Sequence, residues 1–454
     1  MLQLDYIKLK AAYNNKAIHN SFLQFGLPIV CIFALLYADS TSLFSYGYSL
    51  FLLVFSSHFI CKKEKGDLLF SYHFYLLFAI IFYLIFKNQF PLYLGMTGPE
   101  DGIGTDDCRF YAQIVDGNVP YPVQVSLIDI KPYSLFLTFF YPFRVFTPLN
   151  IVTSSLIFTA YLPIYVRRLA ILLTNDKVIG YHAFWYSLFC PFTIYFGCII
   201  LKDLITGTLV IAGLCYYMKK EYLPLLICVV MIIWIRFGTI AFFAGGIIIL
   251  YRFLNLKKGR SDLIFAAVLI LLVLFFFFSF SFIQEFSGGK LEDGIIRSTD
   301  SERYEGTTIS AILSLPFPLN IIISAIFFFF IPLISIPYPI GGHYIIGVFF
   351  QGFFTPIFMF FLWRYIYNAI CVAILKKQIN VQTIFLIVVV FSFLLGSISM
   401  QSRHKTVLFP IICILAAYGK VNYDKKYDGA SKLLTSLTIG AQVALVLISL
   451  VSKS

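Results

Sequence analysis

Charge is scarce in this chain. Asp, Glu, Lys and Arg make up 12% of its 454 residues, against roughly 25% in soluble domains, which excludes a soluble enzyme. Cysteine chemistry is also missing. The nine cysteines are scattered, with no C-x-x-C pair, and Cys31, Cys190, Cys198, Cys215, Cys228, Cys371 and Cys413 lie inside apolar runs; neither a metal site nor a disulfide framework is expected. There is no H-E-x-x-H or carboxylate-rich ligand pattern, and His182 and His343 stand alone, so no metal or other cofactor is expected. No internal repeat and no separate soluble domain can be found.

What the chain has in excess is apolar surface. Hydrophobic residues make up 60% of it, in runs of roughly 15 to 25, the length a helix needs to cross about 30 Å of hydrocarbon at 1.5 Å per residue. The 52 Phe and 30 Tyr are spread through these runs, where they serve as packing and lipid-facing groups. The net charge of +12 does not indicate nucleic acid, because the basic residues sit in short clusters at the ends of apolar runs, where they report orientation. The expected fold is all-α: a single polytopic membrane domain over 1–454.

Positive charge marks the cytoplasmic ends of spans. Lys8, Lys10 and Lys16 put the N-terminus inside, and no small-residue cleavage site follows them, which argues against a removable signal peptide. Spans near 22–37, 44–60 and 69–87 then lead through an inner cluster at Cys61–Lys65 to an outer polar loop at 88–132. Arg167-Arg168 is the next inner marker, so one span fits near 149–166, with 133–146 as a short helix at or dipping into the outer surface. The pattern continues with crossings at 178–200, 204–218 and 222–235, a turn at Arg236–Gly238, a return to Lys257–Arg260, and a crossing at 263–283. A second outer loop at 284–308 precedes the proline-containing stretch 309–340, which parity makes either an outer-surface helix or a hairpin, the surface helix being favoured because proline interrupts the helical ladder. Spans near 344–372, 381–400, 406–420 and 433–450 complete about 12 or 13 crossings.

Ionisable groups at membrane depth are costly and therefore functional candidates. On this topology they gather on the outer face. In Gly102–Tyr111 the two glycines permit a tight turn, Asp106 can cap a helix, and Asp107, Arg109 and Tyr111 follow on it. Asp106 is either a cap or, with Asp107, a carboxylate that orients or deprotonates a sugar hydroxyl. Lys202-Asp203 heads a span and reads either as a snorkelling anchor with its counter-ion or as part of a binding site. Arg236 sits between two apolar half-spans, where a guanidinium suits a phosphate. Ser402-Arg403-His404-Lys405 gathers potentially cationic residues at an outer boundary, against the usual charge distribution; a diphosphate or an anionic lipid headgroup would account for it. The mixed charges of 284–308 suit a solvated loop or a sugar-binding cover.

These residues give the chain a resemblance to the Wzy-type polysaccharide repeat-unit polymerases, in particular the EpsG-like group. Gly-x-Gly-Thr-Asp-x-x-x-x-Tyr at 102–111 resembles that group's outer-loop motif, with a longer spacing between Asp106 and Tyr111. Lys131-Pro-Tyr-Ser-Leu-Phe-Leu137 resembles its following Glu-Pro-Gly-Phe element with the Glu and Gly replaced, and Lys202-Asp203 and Arg403 with Pro410 are similar to its basic elements. The resemblance implies a bacterial inner-membrane glycosyltransferase that joins undecaprenyl-diphosphate-linked oligosaccharides at the periplasmic face into O-antigen or a related surface polysaccharide. It also admits a membrane protein that regulates chain length as a partner. In that chemistry Arg236 and Arg403 stabilise the departing diphosphate, Asp106 or Asp107 acts on the acceptor, and Arg109, Tyr111, Lys202, Asp203, His404 and Lys405 bind substrate, without metal.

Two rival expectations stand beside it. A transferase moving one sugar from a polyprenyl-phosphate donor would use a carboxylate in the loop after the first span, where this chain has only Asp39. A flippase for lipid-linked sugars would show inverted repeats and midplane charge.

Overall fold

The structure, a computed structural model, describes residues 21–87, 136, 147–200, 202–255, 315–316, 319–330, 339–340, 343–344, 346–398 and 405–451. In chain order its helices are α1 (Ser21–Ala38), α2 (Ser42–Ile60), α3 (Lys65–Lys87), α4 (Pro148–Thr174), α5 (Lys177–Leu188), α6 (Pro191–Gly197) and α7 (Lys202–Lys219). They continue with α8 (Tyr222–Ile235), α9 (Ile240–Asn255), α10 (Leu319–Phe330), α11 (Ile346–Leu375), α12 (Ile379–Ile398), α13 (Leu408–Val421) and α14 (Asp428–Val451). The one strand pairing described is a two-residue antiparallel step, Pro339 with Tyr344 and Ile340 with His343.

Among the described residues four helices are long and apolar enough to cross a membrane: Ser42–Ile60, Lys62–Ile85, Pro148–Thr174 and Gly352–Leu375. α6 and α7, bent by 119° at the break between them, make a fifth if taken as one broken span. Shorter apolar helices occupy Gly26–Ala38, Tyr222–Ile235, Ile240–Asn255, Ile379–Leu395 and Leu408–Val421. The described residues thus have the make-up of a helical membrane protein, with fewer full-length spans than the about 12 or 13 crossings read from hydropathy over the whole chain.

α4 is the central helix. α2, α3, α5, α7 and α13 all pack on it, and it is buried along nearly its whole length from Leu149 to Leu173. Its start is set by Thr147, whose side chain accepts from the Asn150 N–H, and by Pro148 at a position where a missing N–H costs nothing. Small hydroxyl residues let a neighbour approach. Ser42, Ser45 and Ser49 are buried on α2, with Ser45 donating to Asn150 Oδ1 (2.7 Å) and Ser49 to the Thr153 carbonyl (3.3 Å). α13 is buried on every side from Leu408 to Gly419. A Cβ on Gly419 would lie 1.9 Å from the Tyr365 carbonyl oxygen, so only glycine allows α11 and α13 to meet there.

The segment 178–200 departs from the single crossing read from the sequence. The helix breaks at Phe189–Cys190 and restarts at Pro191, which has no N–H to continue the ladder and sits instead at the first position of α6. Of 133–146, Phe136 alone is described; it is buried, with its ring 5.1 Å from Phe158 on α4 and 6.5 Å from Trp234 on α8. Within 309–340, α10 packs along α12 and buries Ser324 and Ala325. The outer loops 88–132 and 284–308 and the crossing at 263–283 lie outside the described residues.

The two basic-end clusters assigned to one membrane surface meet in space. Arg167 bonds Glu64 Oε1 (2.8 Å) and Asp67 Oδ2 (2.5 Å), and Arg168 bonds Glu64 Oε2 (2.6 Å), tying the end of α4 to the α2–α3 turn.

Candidate functional site

Three distant segments meet at the head of α7. Asp203 stands in its first turn, where the helix N-terminus favours an anion. Arg236 closes α8, its N–H bonded to the Ile232 carbonyl (2.8 Å), at a helix C-terminus that favours a cation. Because α7 and α8 are antiparallel neighbours, these two ends lie side by side, and Arg236 donates from Nη1 to Asp203 Oδ1 in an ion pair. The Asp203 side chain is 2% exposed, that of Arg236 21%.

The third segment is the turn 405–407 that precedes α13. Thr406 Oγ1 donates to the Asp203 carbonyl (3.1 Å), and so does Thr206 Oγ1 from within α7 (3.0 Å). The turn rests on Gly207: a Cβ there would lie 3.1 Å from the Thr406 carbonyl oxygen, so a larger residue would push the turn away. Below it, the Phe409 ring stacks on Phe192 of α6 at 4.6 Å, which fixes the start of α13 against the α6–α7 break. Lys405 is among the largest fully buried side chains, and Lys202 is buried as well.

Of the residues singled out from the sequence, the structure therefore gathers Lys202, Asp203, Arg236 and Lys405 around the α7 head and its neighbours. Asp106, Asp107, Arg109, Tyr111, Arg403 and His404 lie outside the described residues. Asp203 turns toward Arg236, 33 positions away; successive helical side chains diverge by about 100°, so the adjacency of Lys202 and Asp203 in sequence did not reveal this partner. Thr406 and Gly207 went unnoticed because a hydroxyl and a glycine in apolar surroundings carry no charge signal.

A second polar centre joins the α1–α2 turn to the head of α4. Asp39 Oδ1 accepts from the Thr41 N–H (3.1 Å) and hydroxyl (2.6 Å), while Oδ2 accepts from Ser42 (3.0 Å) and Thr147 (2.5 Å). Asn150 Nδ2 closes the network by donating to Thr147 Oγ1 (2.7 Å) and Thr41 Oγ1 (2.9 Å). Burial pushes the Asp39 carboxyl up, but the hydrogen bonds from Thr147, Thr41 and Ser42 outweigh it and hold the group below its ordinary range. Four accepted bonds occupy the lone-pair sites of a carboxylate, which makes Asp39 a structural tie.

Deeper between α2 and α3, Tyr46 and His73 form a buried pair at 2.8 Å. His73 Nδ1 faces the Leu69 carbonyl at 2.6 Å and must donate to it, so Nε2 accepts from the Tyr46 hydroxyl. Among the described residues no cluster of three or more His, Cys, Asp or Glu could hold a metal ion, and the eight cysteines described are free thiols.

No known protein family, curated protein or solved structure matches the chain.

Proposed function

We propose that this chain is a membrane glycosyltransferase that polymerises undecaprenyl-diphosphate-linked oligosaccharide repeat units at the periplasmic face of a bacterial inner membrane. The observation that carries the reading is the meeting of Asp203, Arg236 and the Lys405–Val407 turn, from three distant segments, in a buried polar cluster. Charge inside a membrane helical bundle is by default a candidate functional site.

Helix lengths support a recessed position for it. α7, α8 and α13 run from this cluster toward the ends bearing Lys219-Lys220, Glu221 and Lys420, and they have 18, 14 and 14 residues. At 1.5 Å per residue they rise roughly 27, 21 and 21 Å, short of a hydrocarbon layer of about 30 Å. With those ends at the cytoplasmic surface, the cluster sits below the opposite leaflet's boundary, at the depth where a polyprenyl chain meets its diphosphate.

At the anomeric carbon one bond forms and one breaks, and one proton is transferred. A hydroxyl oxygen of the acceptor sugar bonds to the anomeric carbon of the donor as the glycosyl–phosphate bond breaks, and the hydroxyl proton goes to Asp106 or Asp107. Undecaprenyl diphosphate leaves. Its charge is taken by Arg236 and Arg403, helped by Lys202 and Lys405, and fixed cations in a water-poor site act most strongly where charge develops. No metal is needed for this step.

Single-sugar transfer from a polyprenyl-phosphate donor draws no support from Asp39, the carboxylate in the loop that such an enzyme would use, because its acceptor positions are filled by Thr41, Ser42 and Thr147. Purified protein in lipid nanodiscs, given lipid-linked repeat units, tests the reading. The expected outcome is a ladder of multiples with matching release of undecaprenyl diphosphate. Transfer of one sugar without a ladder, or no glycosidic bond at all, would refute it.

A further inference from the structure

We infer that Asp203 is a positioning residue whose carboxylate holds the Arg236 guanidinium so that it bridges this buried anchor and the ligand's phosphate. This rests on reading the cluster as a diphosphate site. It departs from the sequence-based expectation that Asp203 itself binds substrate.

The two partners differ in how firmly they are held. Asp203 is fixed: it lies in the first turn of α7, its side chain is almost wholly buried, and its carbonyl accepts from both Thr206 and Thr406. Arg236 is the more exposed partner, placed where α8 ends and the backbone turns through Phe237–Thr239 toward α9. A guanidinium carries five N–H donors in a planar fork, so one terminal nitrogen held on a carboxylate limits the directions in which the others point. The carboxylate also supplies the counter-charge that a cation at this depth needs when no ligand is bound. A carboxylate that touched the ligand would instead repel a diphosphate. The sequence order on the helix ends reinforces the division of roles: anion on the α7 N-terminus, cation on the α8 C-terminus.

The test uses the full chain in nanodiscs, with methylenediphosphonate as the binding probe and lipid-linked repeat units for steady-state kinetics. Wild type binds the probe, and Arg236→Ala loses that binding. Asp203→Asn keeps the shape and removes the charge, so it binds the probe at least as tightly as wild type. Its kcat falls about tenfold to a hundredfold, the scale of a misaligned catalytic group, while KM stays level or drops. Asp203→Glu, which restores the charge one methylene further out, recovers part of kcat and gives the same comparison if the Asn variant folds poorly. Wild-type kcat and KM per folded molecule in both Asp203 variants would reduce the pair to scaffolding and overturn the inference alone. A raised KM with unchanged kcat would make Asp203 a substrate contact, which also overturns it. Failure of wild type to bind the probe or to polymerise would remove the diphosphate reading and the inference with it.

Discussion

Arg236, at the end of one short helix, donates to Asp203, at the start of its antiparallel neighbour, and each charge sits on the helix terminus whose dipole favours it. Exchanging the two therefore probes more than pairing. In the double variant Asp203→Arg with Arg236→Asp, the ion pair is retained but the cation moves to the unfavourable terminus and away from the more exposed position. The expected outcome is more folded protein than in either single variant, read by gel filtration and thermal melting, with no recovery of polymer. Recovered polymer would show that the pair matters only as a tie.

Gly207 is the contact point between α7 and the turn that carries Lys405 and Thr406. Gly207→Val places methyl groups against the Thr406 carbonyl and is expected to cost about 1–3 kcal/mol, the range for overpacking. It also shifts the turn, so activity per folded molecule falls. Thermal melting and polymer yield, measured on the same preparation, check both halves.

The α4 end is held differently. Arg167 is 8% exposed and joins Glu64 and Asp67. Arg167→Ala takes one of its two cations from Glu64, which keeps Arg168, and removes the Arg167 bond to Asp67; it is expected to destabilise the fold by about 1–3 kcal/mol. The cluster lies at the far ends of the helices from Asp203, so kcat and KM of the folded fraction stay at wild-type values. A changed KM would contradict this separation.

Asp39 predicts a pH signature. Its carboxyl is held below its ordinary range in the folded protein, so its contribution is present above the unfolded value of roughly 3.9 and is lost as pH falls through the lower folded value. Wild type should lose thermal stability on acidification across that window. Asp39→Asn should be less stable at neutral pH and show a flatter dependence there. Parallel curves for the two proteins would assign the acid sensitivity to other carboxylates.

Much of the architecture was legible because apolar run length and Lys/Arg position are direct consequences of the bilayer. The ends of α2, α3, α7, α8 and α13 fall close to the spans read from the sequence, while α4 runs about two turns past the expected end at 166, carrying Arg167 and Arg168 within the helix where Glu64 and Asp67 pair with them. What was not legible is local. Pro191 sits in a run apolar enough to hide the break between α5 and α6, and hydropathy gives no weight to a missing N–H. The Asp39–Thr147–Asn150 network joins positions more than a hundred apart through neutral hydroxyls and an amide, groups that charge counting overlooks. Asp203 pairs across a helix hairpin, a contact set by three-dimensional register, where the sequence shows only its neighbour Lys202.

The central claim is that the recessed cation at Arg236 takes the charge of a leaving diphosphate. The most direct measurement is the product ladder from lipid-linked repeat units with wild-type protein and Arg236→Ala, at equal amounts of folded protein in nanodiscs. A ladder for wild type, with single repeats left unjoined by the variant, is the predicted result. A full-length ladder from Arg236→Ala would contradict it.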